Sequence, residues 1–198
     1  MSATREGLLK HLVETTSVGT RKELERAFRV VDRKDFVPEK CADEAYEDYP
    51  LSIGFEQTIS QPSTVAFMLG LLAVSPGQKV LDVGSGSGWT TALLAELVGK
   101  EGMVLGFEIV PGLVLLGQHN LAKYAFPQAR IEKAGEELGR KKEGPFDRIL
   151  ISAAAEELSG RLLSQLKVGG ILVAPIRDSI VKIVKHKDGS VEREKYPG

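Results

Sequence analysis

The chain has 198 residues, of which 42% are hydrophobic and 27% charged, with a formal net charge of −1 at pH 7. That length and balance suit a globular chain with a substantial buried core, and the near-zero charge argues against a general attraction to nucleic acid or anionic membranes. Cys41 is the sole cysteine, so no intrachain disulfide can form, and no apolar run approaches bilayer length. The first twelve residues carry charges throughout and lack the apolar core of a secretory leader, so a cytoplasmic location is expected.

Residues 4–16 place Leu8, Leu9, Leu12 and Val13 at helical spacing behind a capping Thr4. A second amphipathic helix is expected over 21–31, with Leu24, Ala27, Phe28 and Val31 on one face and a break at Pro38. The stretch from Glu47 to Leu72, EDYPLSIGFEQTISQPSTVAFMLGLL, does not read as a strand, and only its second half has helix spacing. Its polar cluster EQTISQPS precedes a third helix expected from Ser63 to near Ser75. From Lys79, short apolar runs at 79–84, 102–109, 129–134, 146–154 and 169–176 alternate with the helical patterns TTALLAELVG, GLVLLGQHNLAKYA and ELSGRLLSQLK. The runs are continuous rather than alternating, which indicates strands buried on both faces; right-handed crossovers then give a doubly wound α/β sheet. Residues 179–196 read as a terminal hairpin turning at Asp188-Gly189. One domain over 1–198 is expected, in which 1–76 form an N-terminal helical and substrate-facing segment and 77–198 a ligand-binding core.

VLDVGSGSGWTTALLAEL is a strand, a glycine turn and a helix in succession. Gly84, Gly86 and Gly88 allow a sharp turn and a close approach of backbone amides to a ligand. Glu108 closes the next strand, where a carboxylate can accept both hydroxyls of a ribose. No G-K-[ST] follows, which excludes a P-loop, and the G-x-G-x-x-G spacing commoner in NAD sites is missing. Trp89 packs beside this turn or lines its pocket, and Asp147 reads as structural. His11, His119 and His186 lack metal-ligand spacing, so no metal is expected.

LDVGSGSG resembles the first motif of S-adenosylmethionine-dependent methyltransferases. Upstream, FVPEKCADEAYEDYPLSIGFEQTISQPSTVAFML is similar to the N-terminal region of protein-L-isoaspartate O-methyltransferases, a pattern close to F-V-P, A-Y-x-D, P-L-x-I-G-x-G-Q-T-I-S-x-P and a helix. FDRILISAAAEELSGRLLSQLKVGGILVAPI resembles that family's fourth and fifth strands, and the likeness runs over roughly 5–190. The resemblance implies a mostly parallel, Rossmann-like methyltransferase sheet with helices on both faces. It implies S-adenosyl-L-methionine as cofactor and a methyl transfer to the α-carboxylate of L-isoaspartyl residues in damaged proteins. The ester formed collapses to a succinimide, which can hydrolyse to normal aspartate. Isoaspartyl peptides and proteins are the implied partners, without nucleic acid or membrane, and a monomer is expected.

By the same resemblance, Thr58, Ile59, Ser60, Asp82, Gly84, Ser85, Gly86, Ser87, Gly88, Glu108, Gly135 and Glu136 are expected around the cofactor. Ile53, Gly54, Gln57, Thr58, Ser152, Ala153 and Ala154 are expected around the substrate. Ser60 matches the family's active-site serine and is assigned a positioning role, although its place before a helix also suits capping. The chain departs from the family at Glu56, where a glycine is usual, and at AGEELG, where G-D-G is usual. A proline is lost in AAAEE, and the sequence stops at EREKYPG, where relatives continue into a strand close to F-V-P-L. Two alternatives stay open: a small-molecule or RNA methyltransferase on the same scaffold, and a cofactor-binding relative without turnover.

Overall fold

The computed structural model describes residues 3–135, 143–154 and 156–197. Helix α1 (Arg5–Thr15) begins where the Thr4 side chain accepts from the Gly7 amide, and it buries Leu8, Leu9 and Leu12. Helix α2 (Lys22–Val30) buries Leu24, Ala27 and Phe28. It ends well before Pro38, because the Asp32 side chain accepts from the Lys34 amide and starts a 3-10 turn over Arg33–Phe36. A second 3-10 stretch covers Glu39–Glu44.

The segment that does not read as a strand forms two short ones. Strands β1 (Leu51–Gly54) and β2 (Gln57–Ile59) pair antiparallel, Leu51 opposite Ile59 and Ser52 opposite Thr58. Leu51 and Ile53 point inward and Ser52 outward, the alternation of a half-buried strand compressed into three residues. The turn is made by Phe55 and Glu56 with φ of 54° and 57°. Two consecutive left-handed residues suit the twist of a two-residue hairpin, but each costs about 1–2 kcal/mol for a side chain with a Cβ. Glu56→Gly is therefore expected to raise stability by about 0.5–1 kcal/mol, after allowance for glycine's looser unfolded chain, and Tm by about 1–4 °C. A thermal melt that shows no gain contradicts the strain.

Helix α3 (Pro62–Leu72) follows, with proline at its first position and Gln61 before it. The main sheet then builds from β3 (Lys79–Val83), α4 (Trp89–Val98), β4 (Met103–Glu108), α5 (Pro111–Leu121), β5 (Ala129–Lys133) and β6 (Phe146–Ile151). Helix α6 covers only Gly160–Ser164, shorter than its periodicity suggests. The Gln165 carbonyl accepts from the Phe146 amide, so the chain joins the sheet at once as β7 (Leu166–Ile176). Strands β8 (Ser179–Lys185) and β9 (Val191–Pro197) complete it, joined across Asp188-Gly189 as expected.

The seven strands run in the order β5-β4-β3-β6-β7-β8-β9. The first five are parallel; β8 and β9 are antiparallel additions at one side. Helices α3, α4 and α5 pack one face together with α1 and α2, while Leu162 of α6 belongs to the core of the other. Strand β3 lies between β4 and β6, so its carboxyl end opens into the crevice where chain direction diverges, the usual ligand position in open α/β sheets. At the outer edge, Arg193 and Lys195 of β9 stand opposite Ile183 and Val181, and Glu192 and Glu194 opposite Val184 and Lys182.

Candidate active site

The glycine turn is pinned from both sides. The amides of Gly84 and Ser85 both donate to the Phe107 carbonyl, at 2.7 and 3.0 Å, drawing the turn over the end of β4. Glu108 is buried and its carboxylate accepts from the Gly86 amide and the Val110 amide, each at 2.9 Å. Two accepted bonds leave lone pairs on that carboxylate for a diol. At Gly84 (φ 80°) an added Cβ would lie 2.7 Å from the Cβ of Ala153, so this glycine admits the end of β6. At Gly86 (φ 53°) the nearest atom to such a Cβ is Cδ1 of Ile53 at 3.3 Å. The β1–β2 hairpin thus folds down onto the middle of the turn.

Asp82 sits behind the turn with no exposed surface. Its Oδ2 accepts from the hydroxyls of Thr90 and Thr91 and its Oδ1 from that of Ser152, all at 2.7 Å. Burial pushes this carboxyl's pKa up, and the three hydroxyl bonds pull against that shift. One carboxylate therefore ties β3 to the start of α4 and to the end of β6.

Two polar atoms in the turn are left over. The Ser85 Oγ and the Trp89 Nε1 are buried without a hydrogen-bond partner among the described residues, and both residues border the same narrow cleft. Orphaned buried polar atoms beside a glycine turn are what a bound polar ligand would satisfy. They fit the polar groups of an adenosyl cofactor, whereas the buried Glu108 lines neither this cleft nor the cavity beyond it and reaches the turn through the Gly86 amide.

The cleft at the glycine turn leads into a cavity of about 410 Å³ between α3, the hairpin and the end of β6. Gln57, Thr58 and Ser60 line the larger space from one side and Ser152, Ala153 and Ala154 from the other, as the sequence suggests. Thr58, Ser60, Val65, Thr90 and Ser152 border both spaces, and Ile59, Gly84, Ser85, Gly86 and Ser87 border the cleft. The side chains of Gln57, Thr58 and Ser60 make no hydrogen bond among the described residues, and Asp48 takes over the capping that Ser60 could have provided. Asp48 accepts from the Ser63 amide at 2.9 Å, the Ser63 hydroxyl at 2.6 Å and the Gln61 side chain at 3.2 Å. Burial raises the Asp48 pKa, but these bonds outweigh it and hold the group below its ordinary value. No ionisable side chain lines either space among the described residues.

Several expected site residues stand elsewhere. Ile53 is buried against Gly86 and lines neither space, and Gly54 (φ 87°) serves the hairpin turn. Gly88 makes room for the Gly117 carbonyl and for Ile131, so it packs α4 against α5 rather than facing the cleft. Asp82 acts from behind the wall, Gly135 is exposed past β5, and Glu136 lies outside the described residues. Glu56 is exposed at the hairpin tip and lines neither space, so its charge is set apart from the cavity. Asp147 is structural, holding the Lys79 amide and the Lys167 ammonium.

Other contributors leave little trace in the sequence. Thr64 and Met68 of α3 and Pro175 of β7 line the cavity, although each satisfies an ordinary helix or strand pattern. Arg33 is buried at 2% exposure, and its guanidinium lies 5.4 Å from the centroid of the Trp89 ring. Burial lowers its pKa to about 10, with Asp48 and Tyr49 acting in the opposite direction, so it stays charged at neutral pH.

Comparison with known proteins agrees with this geometry. The sequence pattern of the protein-L-isoaspartate(D-aspartate) O-methyltransferase family matches residues 3–197. A protein-L-isoaspartate O-methyltransferase of Ignicoccus hospitalis is 37% identical over 100% of this chain and 95% of its own. That of Methanopyrus kandleri is 38% identical over 98% of this chain and 88% of its own. A Plasmodium falciparum protein assigned to the same methyltransferases, crystallised with S-adenosyl-L-homocysteine, superposes with a TM-score of 0.84 at 26% identity, over 98% of this chain and 95% of its own. The chain belongs to the protein-L-isoaspartate(D-aspartate) O-methyltransferase family.

Proposed function

We propose that the protein repairs damaged polypeptides by methylating the α-carboxylate of L-isoaspartyl residues, with S-adenosyl-L-methionine as methyl donor. The observation that carries this reading is the uncharged wall of the two joined spaces. A carboxylate nucleophile is already ionised at neutral pH, so the site needs no general base. It needs neutral donors that orient an anion without protonating it. The hydroxyls of Thr58 and Ser60, without a partner among the described residues and at the junction of cleft and cavity, meet that need.

The donor's sulfonium supplies an electrophilic methyl group. The chain's own residues do the rest by placement, an effect that can lower a barrier by several kcal/mol. Glu108, which accepts from the Gly86 amide behind the cleft, is the residue assigned to the ribose diol on this reading, and Ser85, Gly86 and Ser87 line the donor's cleft. Thr58 and Ser60 turn the substrate carboxylate toward that cleft, with Gln57 and the Ser152–Ala154 stretch flanking the peptide. Asp82 keeps Ser152 and Thr90 fixed from behind. On this reading the chain acts in the cytoplasm, in keeping with its lone cysteine, and as a monomer.

Methyl transfer to an isoaspartyl peptide, measured beside the same peptide with normal aspartate, tests the proposal; equal transfer to both, or to neither, sinks it. Ser60→Ala is expected to lower kcat by about 10-fold or more, the loss of one oriented donor, while the cofactor Kd moves less than about threefold. Unchanged kcat at saturation with a large rise in Kd makes Ser60 a cofactor residue instead.

A further inference from the structure

Arg33 is a buried cation that takes no part in the chemistry above, yet it touches both halves of the site. Its Nη1 donates to the carbonyls of Ala45 and Glu47, both at 3.0 Å. Its Nη2 donates to those of Tyr49 at 2.9 Å and Ser60 at 3.1 Å. Its cationic centre rests over the ring of Trp89, the first residue of α4 and part of the cleft wall at the glycine turn. The four carbonyls fix the guanidinium plane within itself, and the ring fixes its height. Ser60 therefore cannot shift relative to Trp89 without breaking this arrangement. The Ser60 hydroxyl has no hydrogen bond of its own among the described residues, so its place at the junction depends on how the backbone is held.

We propose that Arg33 is the positioning residue of the transfer step, holding Ser60 in register with the cofactor wall at Trp89. The inference rests on the methyl-transfer reading above. An arginine with a purely structural role would lower stability and leave the turnover of folded molecules unchanged. Lysine keeps the charge over the ring but not the planar fork, so it cannot reach four carbonyls at once.

Arg33→Lys and Arg33→Met would be assayed on isoaspartyl peptide at saturating S-adenosylmethionine, which favours the folded form by mass action. Circular dichroism would establish the folded fraction. Trp89 is the sole tryptophan and borders the cleft, so its emission reports cofactor binding. For folded Arg33→Lys, kcat is expected to fall about 10- to 100-fold, the effect of a misplaced contact, with the cofactor Kd within about threefold. Arg33→Met should fall further and should also shift the Trp89 emission. A kcat for Arg33→Lys within twofold of the parent overturns the inference. So does failure to recover that variant folded at saturating cofactor, which would make Arg33 a folding residue first. The parent enzyme separates the two ideas: an inactive parent sinks the methyl-transfer reading and this inference with it, whereas an active parent beside an equally active lysine variant sinks the inference alone.

Discussion

Gly86→Val is expected to weaken S-adenosylmethionine binding more than about 100-fold, roughly 3 kcal/mol. Two effects combine. Residue 86 has a φ of 53°, a left-handed conformation that costs about 1–2 kcal/mol for a side-chain-bearing residue and more for a branched one. The new Cβ would also stand 3.3 Å from Cδ1 of Ile53, and the γ-methyls beyond it would press on the hairpin that carries Thr58 and Ser60. Relief requires the turn to rotate, which disturbs the Gly86 amide bond to Glu108. Calorimetric titration of folded protein measures the effect, and undiminished binding would remove Gly86 from the cofactor wall.

Asp82→Ala is expected to destabilise the protein by about 2–4 kcal/mol and to reduce turnover of the molecules that remain folded. One carboxylate serves three hydroxyls; removing it orphans the Thr91 hydroxyl in a fully buried position, a loss of about 1–3 kcal/mol by itself. Thr90 and Ser152, both on the cavity wall, lose the partner that fixes their rotamers. Urea unfolding gives the stability change, and a loss below about 1 kcal/mol would show that the hydroxyls find other acceptors.

Asp82→Asn separates charge from shape. The folded-state pKa of Asp82 is raised by burial, so its linked contribution to stability is fully present below the unfolded pKa and is lost as pH rises through the folded one. The asparagine variant lacks this loss. The stability difference between variant and parent should therefore move in the variant's favour as pH rises from below 4 toward neutrality. A difference that does not change with pH contradicts the raised pKa.

The order in which the fold could be read from sequence follows the length of each pattern. Strands β3, β4 and β6 announce themselves by continuous apolar runs, and the glycine turn by its place between strand and helix. The hairpin of β1 and β2 escapes because its strands have four and three residues and its turn uses Phe55 and Glu56 in place of the asparagine or glycine that marks such turns. Helix α6 is overestimated because Leu162, Leu163 and Leu166 keep helical spacing even though Leu166 already belongs to the sheet. At the site, the residues proposed to face the ligand were legible because their types match the proposed chemistry: hydroxyls for an anion, glycines for close approach, an acid for a diol. Arg33 was not, because an arginine between other charged residues resembles solvated surface. Only the carbonyls gathered from four places between Ala45 and Ser60 reveal that it is buried. Ile53 illustrates the opposite error, a residue assigned to substrate that instead presses the hairpin onto Gly86.

The alternation along β9 bears on how copies of the chain meet. Among the described residues β9 is the outermost strand, and an unpaired edge invites a second copy to zip onto it. Two identical antiparallel edges related by a two-fold axis normal to the sheet must align residues of equal parity, since otherwise their faces would not match. A register centred on Arg193 sets Glu192 against Glu194 and Arg193 against itself, and one centred on Glu194 sets Arg193 against Lys195 and Glu194 against itself. Like charges directly opposite are repulsive, so in those two registers the edge that pairs Glu194 with Lys182 inside the molecule works against zipping onto its own copy.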